Sequence, residues 1–232
     1  ARALGLRGFN ATVPHKHALL ALVDELTPAA RAIGAVNTVV IREGGGLLGH
    51  NTDAGGFLRA LREAGCAPEG RAALTLGAGG AARAVVYALA SIGAQVTICN
   101  RTPARAEALA DEMRRAVAGA TIQAAPLDGA TLARLGEGAQ LIVNTTTLGM
   151  WPEVGGSPWP DELPFPRGAF AYDLVYNPRE TAFIRQARAA GATAADGLGM
   201  LIHQGAEAFA LWTGQQPPID IMRAACERAL SR

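Results

Sequence analysis

The chain has 232 residues, half of them hydrophobic and 18% charged, with a formal net charge of +1. That is enough apolar material for one or two cores, and too little charge to point to nucleic acid or an acidic membrane surface. No apolar run approaches the length that spans a bilayer, and Cys66, Cys99 and Cys226 are odd in number, far apart and without a C-x-x-C, which suits a reducing cytoplasm better than a disulfide framework.

Residues 1–6 read as the end of a helix, broken by Gly8. Residues 9–13 read as a short strand stopped by Pro14, and a short helix begins at 15–17 and carries Leu19, Leu20 and Val23. Thr12 and Lys16 then fall at a strand end and a helix start, where sites are commonly built. Lys16 is the single lysine beside 20 arginines. Chance explains one surviving lysine; so does function, because an ammonium can give up a proton where a guanidinium stays charged. His15 and His17 flank Lys16, but two histidines without a third ligand do not make a metal site, and no metal is expected.

Thr27-Pro28 starts a helix, with Thr as N-cap and Pro in the first position, and Gly34 ends it. Residues 35–41 form a β-branched strand that contains Asn37. Residues 43–46 make a hairpin turn, and 47–51 pair back. Asp53 follows at an N-cap position, before a helix with Phe57, Leu58 and Leu61 on one face. Capping explains Asp53; so does an ion pair that holds the Lys16 ammonium.

An apolar strand over 72–76 runs into Gly77-Ala78-Gly79-Gly80-Ala81-Ala82 and then a helix with Val85, Val86 and Leu89 on one side. Strand, tight turn and helix give G-x-G-x-x-A its required context. Gly77 permits the turn, Gly79 leaves room for a pyrophosphate, and Ala82 lets helix and strand pack closely. The helix start offers N–H groups to the phosphates. A second strand, 95–99, ends in Asn100-Arg101-Thr102. An acidic residue here commonly accepts from the ribose 2′-OH of NAD; this chain instead has Arg101 and Arg105, which suit the 2′-phosphate of NADP. Ordinary surface arginines are the alternative. Helix 103–117 buries Ala106, Leu109, Ala110 and Met113.

Further strands are expected at 122–125, 141–144 and 170–174. Residues 151–166 are rich in Pro and Gly and read as either a mobile loop over the site or a passive surface loop. Residues 196–200 form a turn that opens a long helix, with Leu201, Ala208, Leu211 and Trp212 in the core and Gln204 facing either the site or solvent. The last helix, 219–230, follows Pro217-Pro218.

Together these residues resemble the shikimate dehydrogenase family. The likeness rests on Asn-Ala-Thr-Val-Pro-His-Lys (10–16), Gly-Ala-Val-Asn-Thr (34–38) and Gly-His-Asn-Thr-Asp-Ala-Gly-Gly (49–56). It extends to the glycine fingerprint with Arg83, Asn-Arg-Thr (100–102), Tyr-Asp-Leu-Val-Tyr-Asn-Pro (172–178) and Asp-Gly-Leu-Gly-Met-Leu (196–201). The resemblance implies an α/β enzyme of two domains. An α/β substrate domain is built from 1–52 and 198–232, and a Rossmann-like NADP-binding domain from 53–197. It implies Lys16 and Asp53 as the catalytic pair, and Thr12, Lys16, Asn37, Asp53, Tyr176 and Gln204 around the substrate. Gly77, Ala78, Gly79, Gly80, Ala81, Asn100, Arg101, Thr102, Arg105, Leu174 and Gly197 match its cofactor contacts. Asn144-Thr145-Thr146 departs from the family's more usual Asn-Ala-Thr. The family's first strand and helix, with a Ser-x-Ser pair that grips the substrate carboxylate, have no counterpart, so a preceding segment is expected.

The activity implied is NADPH-dependent, reversible reduction of 3-dehydroshikimate to shikimate in aromatic amino acid biosynthesis, by a cytoplasmic monomer or homodimer. The alternatives are a quinate/shikimate dehydrogenase that uses NAD, and a non-catalytic dinucleotide-sensing module. The arginines at 101 and 105 oppose the first. The lone lysine at the catalytic position opposes the second.

Overall fold

The structure, a computed structural model, describes residues 5–12 and 14–230. The expected helix end at 1–6 falls mostly outside these residues, as does Val13 at the close of the first expected strand.

Two sheets organise the chain. The first contains β1 (Gly8–Asn10), β2 (Glu25–Leu26), β3 (Thr38–Ile41) and β4 (Leu47–His50), in the order β1-β3-β4-β2. The expected hairpin is there as β3–β4, with Val39 opposite Gly49. Asn37 stands one residue ahead of β3 rather than inside it. Between β1 and β2 the expected helix is reduced to a single 3-10 turn, Ala18–Ala21, whose N-terminus no side chain caps. Helix α1 (Pro28–Ile33) has the predicted cap, with Thr27 Oγ1 accepting from the Ala30 N–H.

After α2 (Asp53–Glu63) the chain builds the second sheet. Its elements are β5 (Ala72–Leu76), α3 (Gly80–Ser91), β6 (Gln95–Asn100), α4 (Pro103–Ala116), β7 (Ile122–Pro126), α5 (Gly129–Gly136), β8 (Leu141–Asn144), β9 (Phe170–Asp173), α6 (Ala182–Ala189) and β10 (Thr193–Ala195). The six strands are parallel in the order β10-β9-β8-β5-β6-β7. Strand order reverses between β5 and β8, and in open parallel sheets ligands bind at the carboxyl ends beside such a reversal. Helices α7 (Leu198–Thr213) and α8 (Ile219–Leu230) complete the fold.

Residues 151–166 form an irregular segment that is exposed at its start and anchored through its centre. Trp159 and Phe165 are buried, with ring centroids 4.9 Å apart, and Phe165 stacks edge-on against Phe183 of α6. This irregular segment covers the sheet between β8 and β9, where a crossover helix commonly lies. Ser157 and the Trp159 carbonyl are tied to Gln186. Helix α7 turns partly differently from expectation: Ala208 is buried as expected, together with Leu198, Met200, Ile202, His203 and Ala206, whereas Leu201, Leu211 and Trp212 are only partly covered. The apolar stripe on this helix is wide, and the packing of α2 and α8 chooses which part of it is buried.

Small residues let α2 and α7 approach closely. A Cβ on Gly56 would stand 2.7 Å from the Gln204 backbone nitrogen, and one on Gly199 would stand 3.1 Å from Ala60 Cβ. Glu63 then meets His203 at 2.8 Å and Arg223 at 2.7 Å, joining α2, α7 and α8. The close approach sets Asp53, at the start of α2, beside Gln204, near the start of α7.

Candidate active site

Lys16 and Asp53 are 37 positions apart and meet at 2.7 Å, Nζ to Oδ2. Both side chains are largely withdrawn from solvent, at 16% and 7% exposed. The Lys16 carbonyl accepts from the Val36 N–H, which fixes its backbone next to Asn37. Asp53 is not the helix cap. It is the first residue of α2, and Asn51 Oδ1 accepts from the N–H groups of Asp53 and Ala54. The carboxylate is therefore free for other partners, in the first turn, where the helix dipole favours negative charge.

Asn37 occupies the middle of the site. Its amide nitrogen donates to Asp53 Oδ1 at 2.9 Å and to Thr52 Oγ1 at 3.0 Å, and it reaches Gln204 Oε1 at 3.4 Å. Its oxygen accepts from the Thr52 N–H and from the Thr38 hydroxyl. A buried amide held at both ends cannot flip, so the orientation of Asp53 is set from behind.

These side chains face a cleft of about 460 Å³, lined also by Asn10, Thr12, Tyr176, Met200 and Leu201. All six expected substrate positions border it, along with Ala81, Leu174 and Gly197 from the cofactor set. A second hollow of about 290 Å³ shares Ala81, Leu174 and Tyr176 and extends along 145–147 to Met150 and Trp151. Sequence reasoning missed Asn10, Met200, Leu201 and Met150, whose apolar or amide chemistry carries no site signal; Trp151 opens the segment for which a place over the site was one of the two readings.

The rest of the expected cofactor set lies along the carboxyl edge of the parallel sheet. Gly77 has φ +113°, a backbone angle that requires glycine. The Thr145 hydroxyl donates to the Leu76 carbonyl at 2.8 Å and would meet a Gly77 Cβ at the same distance. This is the work of the departure from Asn-Ala-Thr: the extra hydroxyl ties the β8 loop to the glycine loop. Gly79 and Gly80 face open space, and no side chain caps α3. A free helix N-terminus with room above it fits a pyrophosphate. Gly197 has no such room, since a Cβ there would stand 2.1 Å from the Leu174 carbonyl oxygen. Arg101, Thr102 and Arg105 are exposed at the end of β6 and the start of α4, and neither arginine meets a carboxylate among the described residues. They border neither hollow. Asn100 turns its amide to the Thr102 carbonyl. No group of three metal-ligating side chains occurs among the described residues.

A cleft that carries an ion pair and several amides among apolar walls, beside a glycine loop at the reversal of a doubly wound parallel sheet, defines a dinucleotide-dependent α/β enzyme. Three family models match this chain: the shikimate dehydrogenase substrate binding domain over 1–39, shikimate / quinate 5-dehydrogenase over 60–131, and the shikimate 5'-dehydrogenase C-terminal domain over 197–227. The NADP(+) shikimate dehydrogenase of Moorella thermoacetica is 48% identical over 99% of this chain and 77% of its own length. That of Rubrobacter xylanophilus is 50% identical over 97% and 78%. The crystal structure of shikimate 5-dehydrogenase from Thermus thermophilus with NADP(H) and shikimate superposes with a TM-score of 0.86 at 47% identity, covering 97% of this chain and 79% of that one. Quinate dehydrogenase from Corynebacterium glutamicum, in complex with NAD, superposes at 0.89 with 36% identity over 97% and 79%. The chain belongs to the shikimate dehydrogenase family.

Proposed function

We propose that this protein is an NADP-dependent shikimate dehydrogenase, which reduces 3-dehydroshikimate reversibly to shikimate in aromatic amino acid biosynthesis. The observation that carries the reading is the Lys16–Asp53 pair, set in a cleft that also reaches the start of α3 through Ala81. NADPH held along Gly77 to Ala81 would supply a hydride to the ring ketone. The ketone oxygen gains negative charge as the carbon accepts that hydride, and it needs a proton. The Lys16 ammonium gives that proton and recovers one from solvent; in the reverse direction the neutral amine takes it from the alcohol.

Asp53 holds Nζ in place, and Asn37 holds Asp53. Thr12, Asn37, Tyr176 and Gln204 supply donors and acceptors for the ring substituents. A site of this kind discriminates against an analogue that lacks a hydroxyl, because its own polar groups are left unpaired. Gly77 to Ala81 carry the pyrophosphate, Asn100, Thr102, Arg101 and Arg105 the adenosine end, and Leu174 and Gly197 the nicotinamide end. The two exposed arginines, which meet no carboxylate among the described residues, favour NADP over NAD.

The division into a substrate domain (1–52 and 198–232) and a cofactor domain (53–197) follows the two sheets. The three cysteines are free, two of them buried, in keeping with a reducing cytoplasm, and the protein acts as a monomer or homodimer. The deciding experiment follows reduced-cofactor absorbance with shikimate or quinate and each oxidised cofactor in turn. Turnover with NADP and little with NAD is expected; the opposite preference, or turnover only with quinate, would replace this reading with the NAD-dependent quinate one.

A further inference from the structure

Asp173 is fully buried at the end of β9, with no place in the cleft, yet three donors converge on it. Oδ1 accepts from Asn144 Nδ2 at 2.9 Å and from the Val175 N–H at 3.0 Å, and Oδ2 accepts from the Thr181 hydroxyl at 2.6 Å. Each donor belongs to a different piece of chain. Asn144 closes β8, and its own oxygen holds the N–H and hydroxyl of Thr146 at 2.9 and 2.7 Å. Val175 lies in the loop that carries Leu174 and Tyr176 to both hollows, and its carbonyl accepts from the Gly197 N–H. Thr181 caps α6 through the Ile184 N–H. The two loops that wall the smaller hollow are thus fastened to one carboxylate.

We propose that Asp173 is a positioning residue for the cofactor, and that its ionised carboxylate holds the 144–148 and 174–177 loops in the spacing that accepts the nicotinamide end of NADP. This rests on the cofactor assignment above. An aspartate is suited to the task because an ionised carboxylate accepts from several donors and donates to none. A neutral group at this point must turn one bond around: the hydroxyl of Thr181 would have to accept from it while still accepting from Ile184, and the bonds at Oδ1 lose the strength that charge gives them.

The group is also poised to change state. Burial pushes the Asp173 carboxyl up to about 6, against the pull of the donors from Thr181, Val175 and Asn144. Asp196, held by Arg179 at 2.7 Å, is the charged group that acts on it and raises it further. Tyr172 next to it is itself pushed up by burial and stays neutral. The partners on β8, on the 174–177 loop and on α6 are uncharged amides and hydroxyls.

The test compares NADP⁺ dissociation constants, by titration calorimetry, for the wild type and Asp173→Asn from pH 5 to 8. The ratio of the two cancels ionisation of the cofactor's own phosphate. It should be about 10–100 at pH 7.5, where one charge-assisted bond is lost, and fall toward 1 at pH 5 with a midpoint near 6. A ratio that is constant with pH, or close to 1 throughout, overturns the proposal while leaving the cofactor assignment intact. Absence of NADP⁺ binding by the wild type overturns both. Should the Asn variant not fold, Thr181→Val against Thr181→Ser decides: losing the Oδ2 donor should move the acid limb of NADP⁺ affinity to higher pH in the Val variant only, and an unmoved limb overturns the proposal.

Discussion

The Nζ of Lys16 and the Oδ2 of Asp53 lie 2.7 Å apart, while the other oxygen of Asp53 is held by Asn37 at 2.9 Å. The carboxylate is thus fixed on one side and presents the ammonium on the other. Such an arrangement aims a proton donor without enclosing it, and Lys16 keeps a face toward the cleft.

Lys16→Ala should lower turnover by about 10²–10⁴-fold, the usual contribution of a positioned acid, with little change in shikimate KM. Lys16→Arg should not restore it, because a guanidinium does not release its proton and its planar fork does not fit a site built for a point charge. Steady-state kinetics checks both; near-wild-type turnover from the Arg variant would exclude proton transfer by this residue.

Asn37→Ala removes the group that orients Asp53 and leaves the buried Thr52 N–H without its acceptor, while the Thr38 and Thr52 hydroxyls keep each other at 3.1 Å. An orphaned buried polar group costs about 1–3 kcal/mol. Thermal unfolding should fall accordingly, and turnover should fall more than NADP affinity does. Equal losses in kcat and in NADP affinity would place Asn37 in the general framework instead.

Replacing both Arg101 and Arg105 with Ala should raise the NADP KM strongly and leave the NAD KM nearly unchanged. A charge-assisted bond to phosphate contributes roughly 1.5–3 kcal/mol, and both arginines are exposed and meet no carboxylate among the described residues, so the fold loses little. Parallel kinetics with the two cofactors is the check, and an equal loss for both would assign the arginines to the fold.

Two glycines should respond in opposite ways. Gly79→Val places its side chain in open space, so stability should hold while NADP binding is lost. Gly197→Ala drives a Cβ into the Leu174 carbonyl, so it should lower thermal stability as well as activity. Melting curves with and without NADP separate the two.

The folded-state carboxyl of Asp173 is raised to about 6 from 3.8. The folded protein therefore keeps a proton that the unfolded chain has released, and stability falls as pH rises between about 3.8 and 6, then levels off. A shift of this size corresponds to about 3 kcal/mol. Asp173→Asn should flatten this part of the stability profile, as denaturant titrations between pH 4 and 7 would record.

Much of this protein is local and therefore legible in its sequence. Gly77, Gly79 and Ala82 between an apolar run and a helix-period run specify a strand, turn and helix by backbone sterics and spacing alone. The α4 core of Ala106, Leu109, Ala110 and Met113 follows from a single period, and α8 begins where Pro217-Pro218 leaves off. The family resemblance, carried by short motifs, supplied the membership of the cleft. What the sequence did not contain is where distant pieces meet. Lys16 and Asp53 are paired because Gly56 and Gly199 let α2 pack tightly on α7 and because the Lys16 carbonyl is tied to Val36. Composition makes 151–166 a loop, but only the bare face of sheet between β8 and β9 turns Trp159 and Phe165 inward. Asp53 reads as a cap until Asn51 is seen to do the capping, and Asp173 reads as a motif residue until three donors from three segments close on it. Propensity and periodicity act over a few residues, whereas burial and hydrogen-bond satisfaction are settled among neighbours far apart in sequence, so tertiary packing alone decided how those polar groups meet and what holds them.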